Sequence, residues 1–171
     1  YLDENNKQYK TKDMTTHEID FQHIVDFNDK EKFIKIATNQ KEQDVIKKIS
    51  LFQYSLSDLN LSISTGTVVD FRLKDNLTND NNINTCPLIY SINLREVIKW
   101  PLKSKKSTSI KISETSKKYL WKNKGSFIIL RRFSPKEGKR RLVATYYDSS
   151  LKGELIGFDN KLNVIHSNKT G

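Results

Sequence analysis

Apolar residues at three- and four-residue spacing indicate one long helix. Val45, Ile49, Phe52 and Leu56 fall on one face of such a helix, and charged residues such as Lys47 fall elsewhere. The pattern predicts an amphipathic helix over residues 41–56. We expect its apolar face to pack on or beside a sheet.

Most of the remaining chain alternates apolar and polar residues with the period of two that is typical of strands. Two early runs, Glu18–Val25 and Lys32–Ala37, flank a turn-forming segment and predict a hairpin. Ser113 is a good N-cap and predicts a short helix over 113–121. The other runs predict strands at Leu59–Ser64, Thr67–Phe71, Leu88–Leu94, Ser109–Ile112, Ser126–Phe133, Arg141–Tyr147, Leu155–Phe158 and Asn163–His166. We therefore expect an α+β fold with a mostly antiparallel twisted sheet or half-barrel, one long helix and one short helix.

Charge is concentrated in the second half of the chain. Residues 1–85 hold 11 Lys and Arg against 14 Asp and Glu, whereas residues 86–171 hold 19 against 6. The stretch 99–141 alone carries 15 basic and 2 acidic residues, and the whole chain has a net charge of +10. Such asymmetry favours a polyanionic partner, with nucleic acid as the first candidate, although a Lys-rich solvated surface would have the same composition.

Several protein classes are excluded or disfavoured by composition. No apolar run approaches the ~20 residues that a membrane-spanning helix needs, so we expect no membrane partner. The single cysteine, Cys86, excludes an internal disulfide, and three widely separated histidines argue against a histidine-rich metal centre. No signal peptide is visible, which predicts a cytoplasmic protein, and the start at Tyr1 rather than Met predicts a fragment.

The strongest candidate for nucleic-acid contact is an arginine-rich hairpin over residues 131–141, whose turn contains Pro135 and Gly138. Its charge cannot be buried in a tight hairpin and must face solvent or phosphate. Four of the six arginines of the protein lie here, and Arg suits bidentate recognition of phosphate or guanine. Its six basic residues are Arg131, Arg132, Lys136, Lys139, Arg140 and Arg141. Strand alternation puts neighbouring arginines on opposite faces, so one of each pair should face DNA.

Two further segments could contact phosphate. In residues 64–72, Gly66 separates two strand-like runs and suits a bulge, an ordinary turn or a close approach of another backbone, with Thr65 and Arg72 beside it. In residues 99–107, a basic loop follows Trp100. Its candidate phosphate ligands are Lys103, Lys105 and Lys106.

The sequence offers little support for catalysis within this chain. Glu137 and Lys139 have the Glu-x-Lys spacing of one nuclease active site, but that chemistry also needs an upstream acid, for which Asp70 is the only candidate. No phosphate-binding glycine loop is present. A metal-dependent nuclease and a free-standing module that binds RNA or single strands stay open as alternatives.

Several segments, taken in order, resemble one family. They are STGTVVDFR (64–72), CPLIY (86–90), WP (100–101), RRFSPKEGKRR (131–141) and GFDNKLNVIH (157–166), with VDFNDKEKFIKI (25–36) before them. Together they are similar to the C-terminal part of adenine-specific DNA methyltransferases of type II restriction–modification systems, in which a target-recognition domain follows the catalytic domain. The Asn-Pro-Pro catalytic signature of that family is absent here, and so is its glycine-containing motif for S-adenosylmethionine.

The resemblance implies a reader of DNA sequence without the catalytic chemistry. Residues 1–39 would be the end of the catalytic domain or a linker hairpin, and residues 40–171 the target-recognition domain. Double-stranded DNA and the enzyme's own catalytic domain would be the partners. We expect no cofactor in this chain, and S-adenosylmethionine in the parent enzyme, which would methylate adenine at N6. Asn160 joins the basic residues and Thr65 as a candidate DNA contact, because Asn pairs well with adenine.

Overall fold

A computed structural model describes residues 19, 21–25, 33–134 and 140–168 of the chain. The chain divides into two compact units, Tyr1–Ser55 and Leu56–Gly171. The first unit contains the one-turn helix α1 (Phe21–Ile24) and an antiparallel bridge between Val25 and Ile34. The predicted hairpin is therefore correct only in the antiparallel pairing of Val25 with Ile34. Residues 21–24, which were predicted to be part of its first strand, are helical.

Helix α2 (Gln40–Ser50) begins as the pattern predicted and ends earlier. Asn39 caps it, because its side-chain oxygen accepts a hydrogen bond of 3.1 Å from the Glu42 backbone. The helix ends at Ser50 rather than at the predicted Leu56. The chain beyond Ser50 is rich in aromatic residues and serine, which are weaker helix formers.

The apolar residues that predicted α2 are largely exposed. Val45 and Ile49 are 54 % and 60 % exposed, and Phe52 beyond the helix end is 77 % exposed. The amphipathic spacing thus identified a helix correctly, and the packing of its apolar face on or beside a sheet stays a prediction.

Nine short strands in the described part of the second unit form two sheets. They are β1 (Leu61–Thr65), β2 (Leu77–Thr78), β3 (Thr85–Ile89), β4 (Ser109–Lys111), β5 (Trp121–Lys122), β6 (Phe127–Arg131), β7 (Ala144–Tyr147), β8 (Leu155–Phe158) and β9 (Leu162–Ser167). The first sheet has the order β1-β9-β6-β7, with every pair antiparallel. The second has the order β2-β4-β3-β8-β5, and only β3 and β8 are parallel. Helix α3 (Glu114–Lys117) connects β4 and β5 and is capped by Ser113 as predicted.

The core has two clusters of buried residues, and one of them joins the two sheets. Phe127 and Ile129 of the first sheet are buried in one cluster with Ile156 and Phe158 of the second. Ile128 lies between the first two in sequence and is exposed, as period-two alternation requires. The α+β fold with mostly antiparallel strands and one long helix is confirmed, with the strands divided between two sheets.

Two predicted strands are wrong in part. Leu88–Leu94 pairs only as far as Ile89, because residues 91–93 form a 3-10 turn in which the Asn93 side chain accepts a hydrogen bond of 2.8 Å from the Tyr90 N–H. Thr67–Phe71 was predicted as a strand because of its β-branched residues. Only Val68 pairs there, in a parallel bridge with Asp159, and residues 70–72 form a 3-10 turn. Leu73 after this turn is buried, which draws the chain back into the core.

None of the helices in the described part of the chain is long and apolar enough to cross a membrane.

Candidate nucleic-acid interface

Gly66 brings two backbone segments into close contact. A Cβ atom at this position would lie 2.2 Å from the Asp159 carbonyl oxygen and 2.7 Å from that of Phe158. On either side, the Gly66 N–H donates to the Leu162 carbonyl and the Val68 N–H to the Phe158 carbonyl, each at 2.9 Å. The close-approach interpretation of this glycine is confirmed, and it fixes the chain after β1 against the turn between β8 and β9.

That turn brings Arg132 and Asn160 together. The Asn160 N–H donates to the Val68 carbonyl at 2.9 Å, and the Asn160 carbonyl accepts a long bond of 3.4 Å from Arg132 Nη1. The backbone N–H of Arg132 also donates to the Lys161 carbonyl at 3.0 Å. Two predicted DNA contacts from segments far apart in sequence therefore lie side by side.

The two neighbouring arginines of the hairpin have different environments. Arg132 is exposed. Arg131 is half-buried and donates from Nη2 to the Ser91 carbonyl at 3.4 Å, while its Nε atom is buried and has no hydrogen-bond partner. Of this pair, Arg132 is thus the side chain available to a large ligand, and Arg131 lies over the sheet.

Lys106 is held by an acid rather than extended freely into solvent. Its ammonium group contacts the Asp70 carboxylate and lies 5.3 Å from the centre of the Tyr90 ring. Tyr90 Oη donates to Asp70 Oδ1 at 3.1 Å. Asp70, Tyr90 and Lys106 therefore form one cluster on the surface.

The electrostatics of this cluster keep its tyrosine protonated. Burial raises the pKa of the Tyr90 hydroxyl, and the negative charge of Asp70 raises it further. Burial also raises the pKa of the neighbouring Asp159 carboxyl, with a second contribution from Asp70. Tyr90 is consequently a fixed hydrogen-bond donor to Asp70 over the physiological pH range.

The remaining predicted contacts are less closely connected. Lys103 and Lys105 are exposed on a loop anchored by Trp100, whose Nε1 donates to the Thr108 carbonyl at 2.6 Å. Thr65 is exposed on β1 and donates to Asn163 Oδ1 at 3.4 Å. Arg72, Arg140 and Arg141 are also exposed. Lys136 and Lys139 lie outside the described residues.

We use the term basic surface for Arg72, Lys106, Arg132 and Asn160. Hydrogen bonds to backbone carbonyls connect the segments that carry these residues. The Asn160 N–H donates to Val68 just before the 70–72 turn, and the Arg131 guanidinium donates to Ser91 just after Tyr90. Sequence reasoning missed the parts played by Tyr90 and Asp159. Both residues stand in segments that carry the family resemblance, Tyr90 in 86–90 and Asp159 in 157–166, but only the folded chain brings them to Asp70.

The described residues offer little for catalysis. They contain no group of three or more His, Cys, Asp or Glu side chains placed to hold a metal ion. The Glu137 and Lys139 pair of the nuclease alternative lies outside them, and Asp70 is engaged by Tyr90 and Lys106.

A separate cavity of about 380 Å³ contains a hydroxyl–imidazole pair, Ser64 Oγ and His166 Nε2, 2.9 Å apart. Trp121 and Phe127 line it with them. The other imidazole nitrogen, Nδ1, faces the Ser167 carbonyl at 3.1 Å rather than a carboxylate. The pair therefore lacks the acid that orients histidine in a hydrolase triad.

Two curated proteins are similar to this chain over most of its length. It is 39 % identical over 157 residues to the type II methyltransferase M.PstI of Providencia stuartii, covering 90 % of this chain and 31 % of that protein. It is 42 % identical over 153 residues to the type II methyltransferase M.BsuBI of Bacillus subtilis, covering 88 % of this chain and 30 % of that protein. The expected resemblance to type II methyltransferases is thus confirmed, and the chain spans about a third of the length of these relatives. No family model and no solved structure matches it.

Proposed function

We propose that this chain is the target-recognition part of a type II DNA methyltransferase of a restriction–modification system, and that it holds double-stranded DNA on the basic surface. The observation that carries this proposal is a set of contacts between segments far apart in sequence. Arg132 bonds to Asn160, Asn160 bonds to Val68, and Lys106 pairs with Asp70 two residues after Val68. The similarity to two type II methyltransferases supports the same function. We assign recognition to residues 40–171, and residues 1–39 to the end of the catalytic domain or a linker.

The side chains of the basic surface and of the loop anchored by Trp100 would divide between two tasks. Exposed Lys and Arg neutralise phosphates and set the register of the protein on the duplex, without reading sequence. Sequence is read by side chains that reach base edges, for which Arg suits guanine and Asn suits adenine. Arg132 and Asn160 are adjacent and of these two types, so we assign base reading to them and phosphate binding to Lys103 and Lys105.

Lys106 would act differently from these lysines. Its ammonium group is neutralised by Asp70 in the free protein, so a phosphate must compete with that carboxylate. Tyr90 keeps Asp70 in place in either case, because its hydroxyl stays protonated. Exchange of Lys106 between Asp70 and a phosphate would make binding depend on how the backbone of the duplex lies over the surface.

Methyl transfer would take place on the catalytic domain of the parent enzyme. The methyl group would come from S-adenosylmethionine bound to that domain, and adenine N6 would accept it. Reaching that atom requires the adenine to leave the base stack, which costs a few kcal/mol. Contacts made by the present chain would offset part of this cost by holding the duplex against the catalytic domain.

A selection experiment tests the proposal. The chain is mixed with a pool of short duplexes that carry a randomised centre, and the bound duplexes are sequenced over several rounds. We expect one short sequence to be enriched. Equal or tighter binding of single strands or RNA, with no preferred duplex, would instead support the alternative nucleic-acid-binding module.

Two double variants test whether the basic surface binds the duplex. We expect the R132A and K106A double variant to bind the selected duplex at least tenfold more weakly, since it removes one base-reading and one phosphate-binding side chain, and a base contact alone contributes about 1–3 kcal/mol. The K47A and K48A double variant removes the same number of charges from exposed positions of α2 and should bind normally. Equal weakening in both variants would mean that only net charge matters.

A further inference from the structure

The phenylalanines of the second unit fall into two classes. Phe127 and Phe158 are buried in the core, whereas Phe71 and Phe133 are 77 % and 63 % exposed. Each exposed ring carries an arginine on its face. The Arg72 guanidinium lies 5.6 Å from the centre of the Phe71 ring, and the Arg132 guanidinium lies 5.2 Å from that of Phe133.

Phe71 is presented by a turn that is fixed on both sides. Before it, Asp70 is held by Tyr90 Oη and by the ammonium group of Lys106. After it, Leu73 is buried, and its N–H donates to the Val69 carbonyl at 3.2 Å. The ring therefore projects outward from a backbone that cannot fold it back into the core.

Both arginine-covered rings lie next to residues of the basic surface. Arg72 and Arg132 are members of it, and the Asn160 backbone connects their two segments by bonding to Val68 and accepting from Arg132. The stretch 99–141, which supplies Arg132 and Lys106, carries 15 basic and 2 acidic residues. A partner that covers these rings must therefore be anionic and must also offer flat apolar faces, and stacked bases between phosphates meet both conditions.

We propose that Phe71 is a base-contacting residue that inserts into the stack of the bound duplex, an inference that rests on the proposed function. Apolar side chains such as Phe enter between base steps in many DNA-bending proteins. On insertion, the Arg72 guanidinium would leave the ring and bind the adjacent phosphate. The ring would occupy space opened in the stack and so help to stabilise a duplex with one base displaced.

Three variants and a set of altered duplexes test this inference. F71A, F71W and F52A are compared with the wild type on the duplex chosen by selection, and on copies of it that lack one base at a time. Phe52 has the same 77 % exposure as Phe71 but lies in the first unit, which makes F52A the matched control. Both substituted positions are exposed, so far-UV circular dichroism and urea unfolding of all three variants should match the wild type.

We expect F71A to bind the intact duplex about 5- to 100-fold more weakly, from the usual strength of stacking between a base and an aromatic ring. F71W should retain binding within a few fold, and F52A should equal the wild type. For the wild type, removal of the base at one position should strengthen binding, since the gap no longer has to be opened. F71A should lack that gain.

Two results would overturn the inference while leaving the proposed function intact. One is selective duplex binding by F71A that equals the wild type, which would mean that the ring contacts another protein surface or solvent. The other is an equal weakening in F71A and F52A. If the wild type binds no duplex selectively, the proposed function fails and this inference fails with it.

Discussion

Replacement of Gly66 by alanine should destabilise the second unit and weaken DNA binding. Gly66 does not have a positive φ, so the effect comes from space alone. The new Cβ would lie 2.2 Å and 2.7 Å from two backbone carbonyl oxygens, those of Asp159 and Phe158. Because both obstacles are backbone atoms, no side chain can move aside to relieve the clash.

The loss of unfolding free energy in G66A follows from the two backbone segments that must separate. Separating the two segments by about an ångström strains or breaks the bonds from Val68 N–H to the Phe158 carbonyl and from Asn160 N–H to the Val68 carbonyl. Each bond contributes about 0.5–1.5 kcal/mol. Overpacking adds about 1–3 kcal/mol. We therefore expect G66A to lower the free energy of unfolding by about 4 kcal/mol, a large part of the ~5–15 kcal/mol of a typical domain.

Urea unfolding followed by tryptophan fluorescence measures this change. Both tryptophans, Trp100 and Trp121, lie in the second unit, so the signal reports that unit. G125A is the matched control, because Gly125 has φ +92° but no atom within 4 Å of the place where an alanine Cβ would lie. It should cost about 1–2 kcal/mol from backbone strain alone. A smaller destabilisation by G66A than by G125A would refute the close approach and the account of how Asn160 is positioned.

Three further predictions concern charge and protonation. Replacing both Lys103 and Lys105 by alanine should reduce the slope of log affinity against log salt by about 0.9 for each phosphate that is no longer bound, without changing the preferred sequence, as measured by fluorescence anisotropy. Cys86 is buried, and burial raises the pKa of its thiol to about 12, so Ellman's reagent should titrate no thiol in the folded chain at pH 8 and one in urea. Burial raises the pKa of Asp159 above its ordinary value of 3.8, so the folded state binds its proton more tightly and stability from this group is lost as pH rises through the folded pKa. Relative to the wild type, D159N should therefore become more stable as pH rises from about 4 to 7, and a difference in unfolding free energy that does not change with pH would contradict the raised pKa.

Signals between residues close in sequence predicted much of the fold correctly. Alternation in Ser126–Phe133 predicted β6, and Ser113 predicted the cap of α3. Both signals are local, because a strand exposes every second residue and a cap bonds three residues ahead. The strand predicted over 67–71 is wrong because the packing of residues distant in sequence overrides its local preference. Its β-branched residues favour a strand, but Leu73 is drawn into the core and the chain turns at residues 70–72.

The sequence predicted which types of residue form the candidate site, and the tertiary structure decided which of their side chains are exposed and which are paired. Residue types and their order alone identified the basic stretch, the arginine-rich hairpin and the special position of Gly66. They could not tell Arg131 from Arg132, because which of two neighbours is covered depends on the Ser91 carbonyl, 40 residues away in sequence. Nor could they show that Lys106 is neutralised by Asp70, since 36 residues separate them. Net charge is a sum over residues and can be read from the sequence, whereas the pairing of each charge depends on distances that exist only once the chain has folded.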